Sequence, residues 1–284
     1  MDILLALIPA FTWGTLLLLS SYFGGKPHHQ LIGMTIGALL FALGVFFIKA
    51  PELTPVIWIA GALSGVLWSV GQYNQFSSVT YLGVSRTVPI STGMQLFATT
   101  AFGVFAFGEW KTTTAIILGI IAIACILIGV IFTVKNDKNS DGNGEQHIRK
   151  GLGTLLVSTI GYVGYVIVIR WYNIDGWAVL LPQAIGMFAG AVVFTWKHKP
   201  YTRYAFRNIF TGVWWGIGNL GLLISLPRIG VATSFSLSQT GIILSTLGGI
   251  YLLGEKKSKR QMAYVIIGCF LIVAGGVMIG LTKA

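Results

Sequence analysis

Acidic residues are scarce in this chain. Eight stand among 284 residues: Asp2, Glu52, Glu109, Asp137, Asp141, Glu145, Asp175 and Glu255. None falls in the middle of a long apolar stretch, so the counter-ion that a cationic ligand would need at depth in a bilayer is missing. Cysteine is limited to Cys125 and Cys269, each inside an apolar run and neither with metal-site spacing, which makes them packing residues. The four histidines, His28, His29, His147 and His198, lie outside the apolar runs without ligand spacing, so no metal site is expected. No phosphate-cradling Gly-x-x-x-x-Gly-Lys-Ser/Thr run or nucleophile-base pattern occurs, which argues against an enzyme and against any cofactor. Ahead of the first apolar run stands Asp2 rather than a basic segment, and no small-residue cleavage pattern follows, so the run reads as a retained helix rather than a signal peptide.

What the chain has in excess is apolar surface. With 55% hydrophobic and 10% charged residues, it holds more than a soluble fold of this length could hide, and reads as an integral membrane protein. The net charge of +11 would suggest nucleic acid in a soluble protein. Here the basic residues fall between apolar runs, so the bilayer is the partner and no nucleic acid is expected. About 20 apolar residues per crossing gives ten spans, near 2–21, 31–48, 55–76, 86–107, 113–134, 151–171, 177–196, 209–226, 231–253 and 262–281. They form an all-α polytopic protein with two five-helix halves, 1–134 and 151–284, joined by a polar linker over 135–150. Lysine and arginine counted over alternate loops give fourteen on the linker's side and five on the other. This predicts a multi-pass cell-membrane protein with a cytoplasmic linker and both termini outside.

The stretch from Trp68 to Gln95 recurs 147 positions later. Residues 65–95 and 212–242 share eight identities in thirty-one ungapped positions, among them Trp68/Trp215, Gly71/Gly218, Gly83/Gly230 and Ser91/Ser238, where such a composition gives roughly two or three by chance. Gln72 meets Asn219 and Thr87 meets Ser234. A duplicated unit of five spans must insert upside down relative to its twin, and inverted repeats place a substrate site near the midplane and offer two conformations open to opposite faces. Glycines at four-residue spacing, Gly33/Gly37, Gly61/Gly65, Gly186/Gly190, Gly212/Gly216 and Gly276/Gly280, predict close helix contacts.

Polar side chains at helical spacing mark the candidate site. Trp68, Gln72 and Gln75 share one face of the third span, and Thr87, Ser91 and Gln95 one face of the fourth. Trp215 with Asn219, and Ser234 with Ser238, repeat these stripes, while Gln239 adds an amide. Trp13 in the first span is a further candidate wall. Amides donate and accept at once, as sugar hydroxyls require, and tryptophan faces stack on the apolar side of a pyranose. Arg86, Arg170 and Arg228 sit near span ends, where snorkelling accounts for them. A neutral, hydroxyl-rich ligand is what remains. The alternative for the same residues is that the hydroxyls bond their own helix carbonyls and the amides bridge neighbouring helices. Glu109 and Glu255 end the fourth and ninth spans in matching Gly-Glu pairs, which could serve gating or coupling, or pair with nearby lysines at the interface.

The run Leu82-Gly-Val-Ser-Arg-Thr-Val-Pro-Ile-Ser-Thr-Gly-Met-Gln-Leu96, with Trp13-Gly14 and the paired Gly-Glu ends, resembles the glucose/ribose-uptake branch of the drug/metabolite transporter superfamily over essentially the whole chain. The resemblance implies ten helices in two inverted halves and import of a neutral monosaccharide, glucose foremost, by symport with protons. Small multidrug exporters of the superfamily carry a first-span glutamate. This chain has no acid between Ile3 and Ser21, which fits a neutral substrate and leaves Glu109 and Glu255 as the coupling candidates. Export of another neutral metabolite and a non-transporting membrane sensor or scaffold are the competing readings.

Overall fold

The computed structural model describes residues 2–108, 110–135, 142–229, 238 and 240–282. Within them the chain forms ten α-helices: α1 (Asp2–Phe23), α2 (Pro27–Lys49), α3 (Pro55–Leu82), α4 (Val84–Phe107), α5 (Thr113–Val134), α6 (Gly142–Trp171), α7 (Gly176–Thr195), α8 (Arg203–Ile229), α9 (Gly241–Tyr251) and α10 (Lys259–Leu281). A short 3-10 turn, Trp196–His198, follows α7. An all-helical build is what an apolar solvent imposes, because a helix satisfies its own backbone donors and acceptors. Among the described residues seven helices are long and apolar enough to cross a membrane: α2 to α7 and α10.

Helix starts follow local chemistry. Asp175 accepts hydrogen bonds from the Trp177 and Ala178 amides at 2.9 and 3.1 Å and so starts α7. Thr112 accepts from the Ala115 amide at 3.2 Å ahead of α5, and Ser258 with Gln261 makes a reciprocal capping box at α10. Gly142 opens α6, so residues 142–150 of the polar stretch are helical, ahead of the start expected at 151.

Two compact units are present, each assembled from separated stretches: residues 1–18, 78–153 and 218–284 in one, and 19–77 with 154–217 in the other. In the second unit, glycines set the helix contacts. A Cβ on Gly65 of α3 would lie 2.0 Å from the Gln183 carbonyl oxygen of α7, and one on Gly212 of α8 would lie 1.9 Å from that of Met34 in α2. Gly186 and Gly37 complete the two contacts. The third helix of each sequence half therefore packs backbone to backbone on the second helix of the other half. Ala42 packs with Leu180, Leu181 and Ala184 between α2 and α7.

In the first unit α5 packs on α10 through a reciprocal pair: a Cβ on Gly129 would lie 2.7 Å from the Gly268 carbonyl oxygen, and one on Gly268 2.6 Å from that of Gly129. Cys269 is buried with its sulfur 3.1 Å from Thr246 Oγ1, and both cysteines are free thiols.

Candidate functional site

Spacing on α3 puts Trp68, Gln72 and Gln75 on one face, and the second unit closes other helices over it. Trp215 of α8 brings its ring to 5.3 Å from that of Trp68 at an interplanar angle of 59°. Tyr162 of α6 lies edge-on to Trp68 at 6.4 Å, and its phenol oxygen stands 2.8 Å from Gln72 Oε1 and 3.0 Å from Gln75 Oε1. Gln72 Nε2 lies 3.4 Å from Gln75 Oε1. One phenol hydrogen facing two amide oxygens can bond only one at a time. Each amide oxygen has two lone pairs, so the pair has capacity to accept from a further hydroxyl.

A missing side chain makes this arrangement fit. A Cβ on Gly71 would lie 2.8 Å from the Tyr162 ring, and the Gly71 carbonyl accepts from Ser158 Oγ at 2.7 Å. Trp68, Gln72, Gln75, Tyr162 and Trp215 are all buried. The buried polar side chains described in this unit, from Gln30 and Ser64 to Gln183 and Asn208, are uncharged. A buried group of tryptophans, amides and a phenol without charge can hold a neutral molecule by stacking and hydroxyl bonding. It offers nothing to balance an ion.

The first unit holds the other sequence candidates. Ser91 is buried and its Oγ accepts from Gln95 Nε2 at 2.9 Å. Thr87 is buried with its Oγ1 3.5 Å from Ser78 Oγ. Trp13 is half-buried, and its indole stands where a Cβ on Gly218 would come within 2.8 Å of Nε1; the half-buried Asn219 follows directly in the chain. Ser238 is buried. Gln239, Ser234 and Glu109 lie outside the described residues. Glu255 accepts hydrogen bonds from the start of α4 and pairs with Lys257 Nζ at 3.5 Å.

Tyr162 is the residue that sequence reasoning missed. Thr15 stands 147 positions before Tyr162, so the repeat does not reveal it, and Tyr162 falls outside the polar stripes of the third and fourth spans. A tyrosine between Gly161 and Gly164 deep in a long apolar run, with a hydroxyl to satisfy, was the available signal. The histidines form no ligand set: His28 stacks on His198 at 4.8 Å, and among the described residues no three His, Cys, Asp or Glu groups could hold a metal.

Comparison with known proteins places the whole chain in one family. The family model described as "Sugar transport protein" matches residues 4–282. A Bacillus cereus protein carrying a sugar-uptake name is 59% identical over the full length of both chains. The glucose uptake protein GlcU of Bacillus subtilis (strain 168) is 52% identical over all of this chain and 99% of its own. A solved crystal structure superposes over 98% of this chain and 95% of its own at a TM-score of 0.64 with 15% identity, a likeness of fold alone. A family match across nearly every residue of this helical membrane protein, with full-length relatives at more than 50% identity, leads to one conclusion: this chain belongs to the sugar transport protein family.

Proposed function

We propose that the chain imports a neutral monosaccharide, glucose foremost, as a proton-driven secondary transporter working by alternating access between inverted repeats 1–134 and 151–284. The observation that carries the substrate reading is the uncharged group of Trp68, Gln72, Gln75, Tyr162 and Trp215. In this reading the tryptophans take the apolar face of the sugar ring, and the amides take adjacent hydroxyls with Tyr162 holding them in orientation. In the other unit, Thr87, Ser91, Gln95, Asn219, Ser238, Gln239 and Trp13 are proposed sugar-contacting groups in their own right. Relatives named for glucose uptake at 50% to 52% identity favour glucose among neutral sugars.

Three contacts support the inverted repeat. Trp68 touches its repeat counterpart Trp215, and residues related by a two-fold axis meet only near that axis. The Gly65 and Gly212 contacts are built alike, and Gly129 on the Gly268 carbonyl is matched by Gly275 on the Ala122 carbonyl, 146 positions apart in both partners, as a two-fold relation requires. Of the two Gly-Glu ends, Glu109 is the proposed proton carrier, since the Glu255 carboxylate is engaged by the amides that start α4.

The test is labelled-glucose uptake into vesicles holding the purified protein. Accumulation that collapses on adding an uncoupler is expected; equilibration without accumulation would remove the proton, and no flux at all would remove the sugar reading. Tyr162→Phe deletes the phenol donor and leaves the ring in place. It should raise the KM for glucose roughly fivefold, the worth of about one net hydrogen bond, with Vmax little changed. Unaltered uptake kinetics would remove Tyr162 from the site.

A further inference from the structure

The start of α4 is built unlike those of α5, α7 and α10, which are capped by side chains close in sequence. Gly83 precedes it at φ +75° and makes no side-chain cap. Pro89, six residues in, has no N–H, and its ring crowds the carbonyl one turn earlier. The first turn, residues 84–88, is thus a short buried segment between two weak points in the backbone.

Its cap comes from far along the chain. Glu255 Oε1 accepts from the Val84 amide at 2.5 Å and from the Ser85 amide at 3.3 Å, while Oε2 stands 3.4 Å from the Ser85 amide and also accepts from Ser85 Oγ. Two glycines leave room for this carboxylate. A Cβ on Gly83 would lie 2.7 Å from its carbon, and one on Gly249 would lie 2.7 Å from the Ser85 nitrogen. The charged groups around it are Lys257, 3.5 Å from Oε2, and Arg86, whose Nη2 donates to the Lys135 carbonyl at 3.2 Å. Burial, and after it Arg86, holds the Lys257 ammonium below its usual range, while Glu255 pulls the other way.

A negative charge at a helix N-terminus binds strongly through amides and dipole together. Supplied by a residue of the α9–α10 connection, it also ties the first turn of α4 to that connection. We propose that the turn between Gly83 and Pro89 is a gate of the transport cycle and that Glu255 is the positioning residue that latches it. This inference rests on the transport reading above. Thr87 lies on the latched turn while Ser91 and Gln95 lie beyond Pro89, so release of the latch moves one part of the polar stripe against the other.

The test uses full-length protein in vesicles, with Glu255→Ala and the acceptor-preserving Glu255→Gln beside the wild type. Glucose uptake and amide hydrogen exchange at Val84 and Ser85 are both measured. Expected for Glu255→Ala are exchange at these two amides faster by about tenfold and uptake slower by about tenfold, with Glu255→Gln, which keeps an amide oxygen for both donors, restoring most of each. In the wild type, glucose should change exchange at Val84 and Ser85, which a static cap would not allow. Exchange unaffected by Glu255→Ala, or, where the wild type takes up glucose, exchange unaffected by glucose or uptake by Glu255→Ala within twofold of the wild type, overturns the latch. Failure of Glu255→Gln to restore uptake, with amide protection restored, overturns positioning in favour of a proton-carrying carboxylate. A wild type that takes up no glucose while these amides stay protected by Glu255 overturns the sugar reading and not the latch.

Discussion

Replacing Gln72 by leucine should cut glucose uptake at sub-saturating sugar by roughly ten- to a hundredfold while leaving the protein folded and in the membrane. Gln72 accepts from the Tyr162 phenol at 2.8 Å, but that phenol also has Gln75 at 3.0 Å. The hydroxyl therefore keeps a partner when Gln72 becomes apolar, and the leucine fills a similar volume. The cost to stability is about 1 kcal/mol, that of one net hydrogen bond. A sugar hydroxyl forced against leucine has no such replacement. A buried unsatisfied hydroxyl costs about 1–3 kcal/mol, so apparent affinity should fall by roughly ten- to a hundredfold. Uptake kinetics measured beside the amount of protein in the membrane separate the two effects. Wild-type kinetics in Gln72→Leu would take the amide out of the site.

The largest loss of stability is expected from Gly65→Leu and Gly212→Leu. A Cβ at either position would sit about 2 Å from a carbonyl oxygen of the facing helix, and a backbone cannot rotate away as a side chain can. The helices must separate, and the buried hydroxyl contact beside this interface, Ser69 Oγ to the Met187 carbonyl at 2.6 Å, would be stretched with them. Overpacking at such a site costs about 3 kcal/mol or more. Thermal unfolding of purified protein in detergent should show a large and similar drop for both variants. Gly44→Leu, where nothing lies within 4 Å of the Cβ position, should unfold close to the wild type. Variants at 65 and 212 that melt with Gly44→Leu would mean that these helices do not meet as described.

Much of the molecule was legible in the residues. Each of the ten expected spans overlaps one of the ten described helices, because a lipid environment leaves a chain so apolar little alternative. The glycine pairs at 33/37, 61/65 and 186/190 were read as close contacts and line them, since small residues at four-residue spacing clear one face of a helix. The paired Gly-Glu ends were equally visible, but not the reach of Glu255 to amides 171 residues away. The early start of α6 at Gly142 escaped detection as well, because a polar stretch without apolar periodicity carries no helix signal.

Solvent and ligand class were both readable along the chain: apolar runs demanded a bilayer, the lack of acids within them argued against a cation, and arginines placed only near span ends argued against an anion. Only the tertiary structure decided which polar groups share a neighbourhood. Periodicity orders residues along one helix and says nothing about the facing one, and so Tyr162 joined Gln72 and Gln75, and Glu255 joined Val84, only when the helices packed.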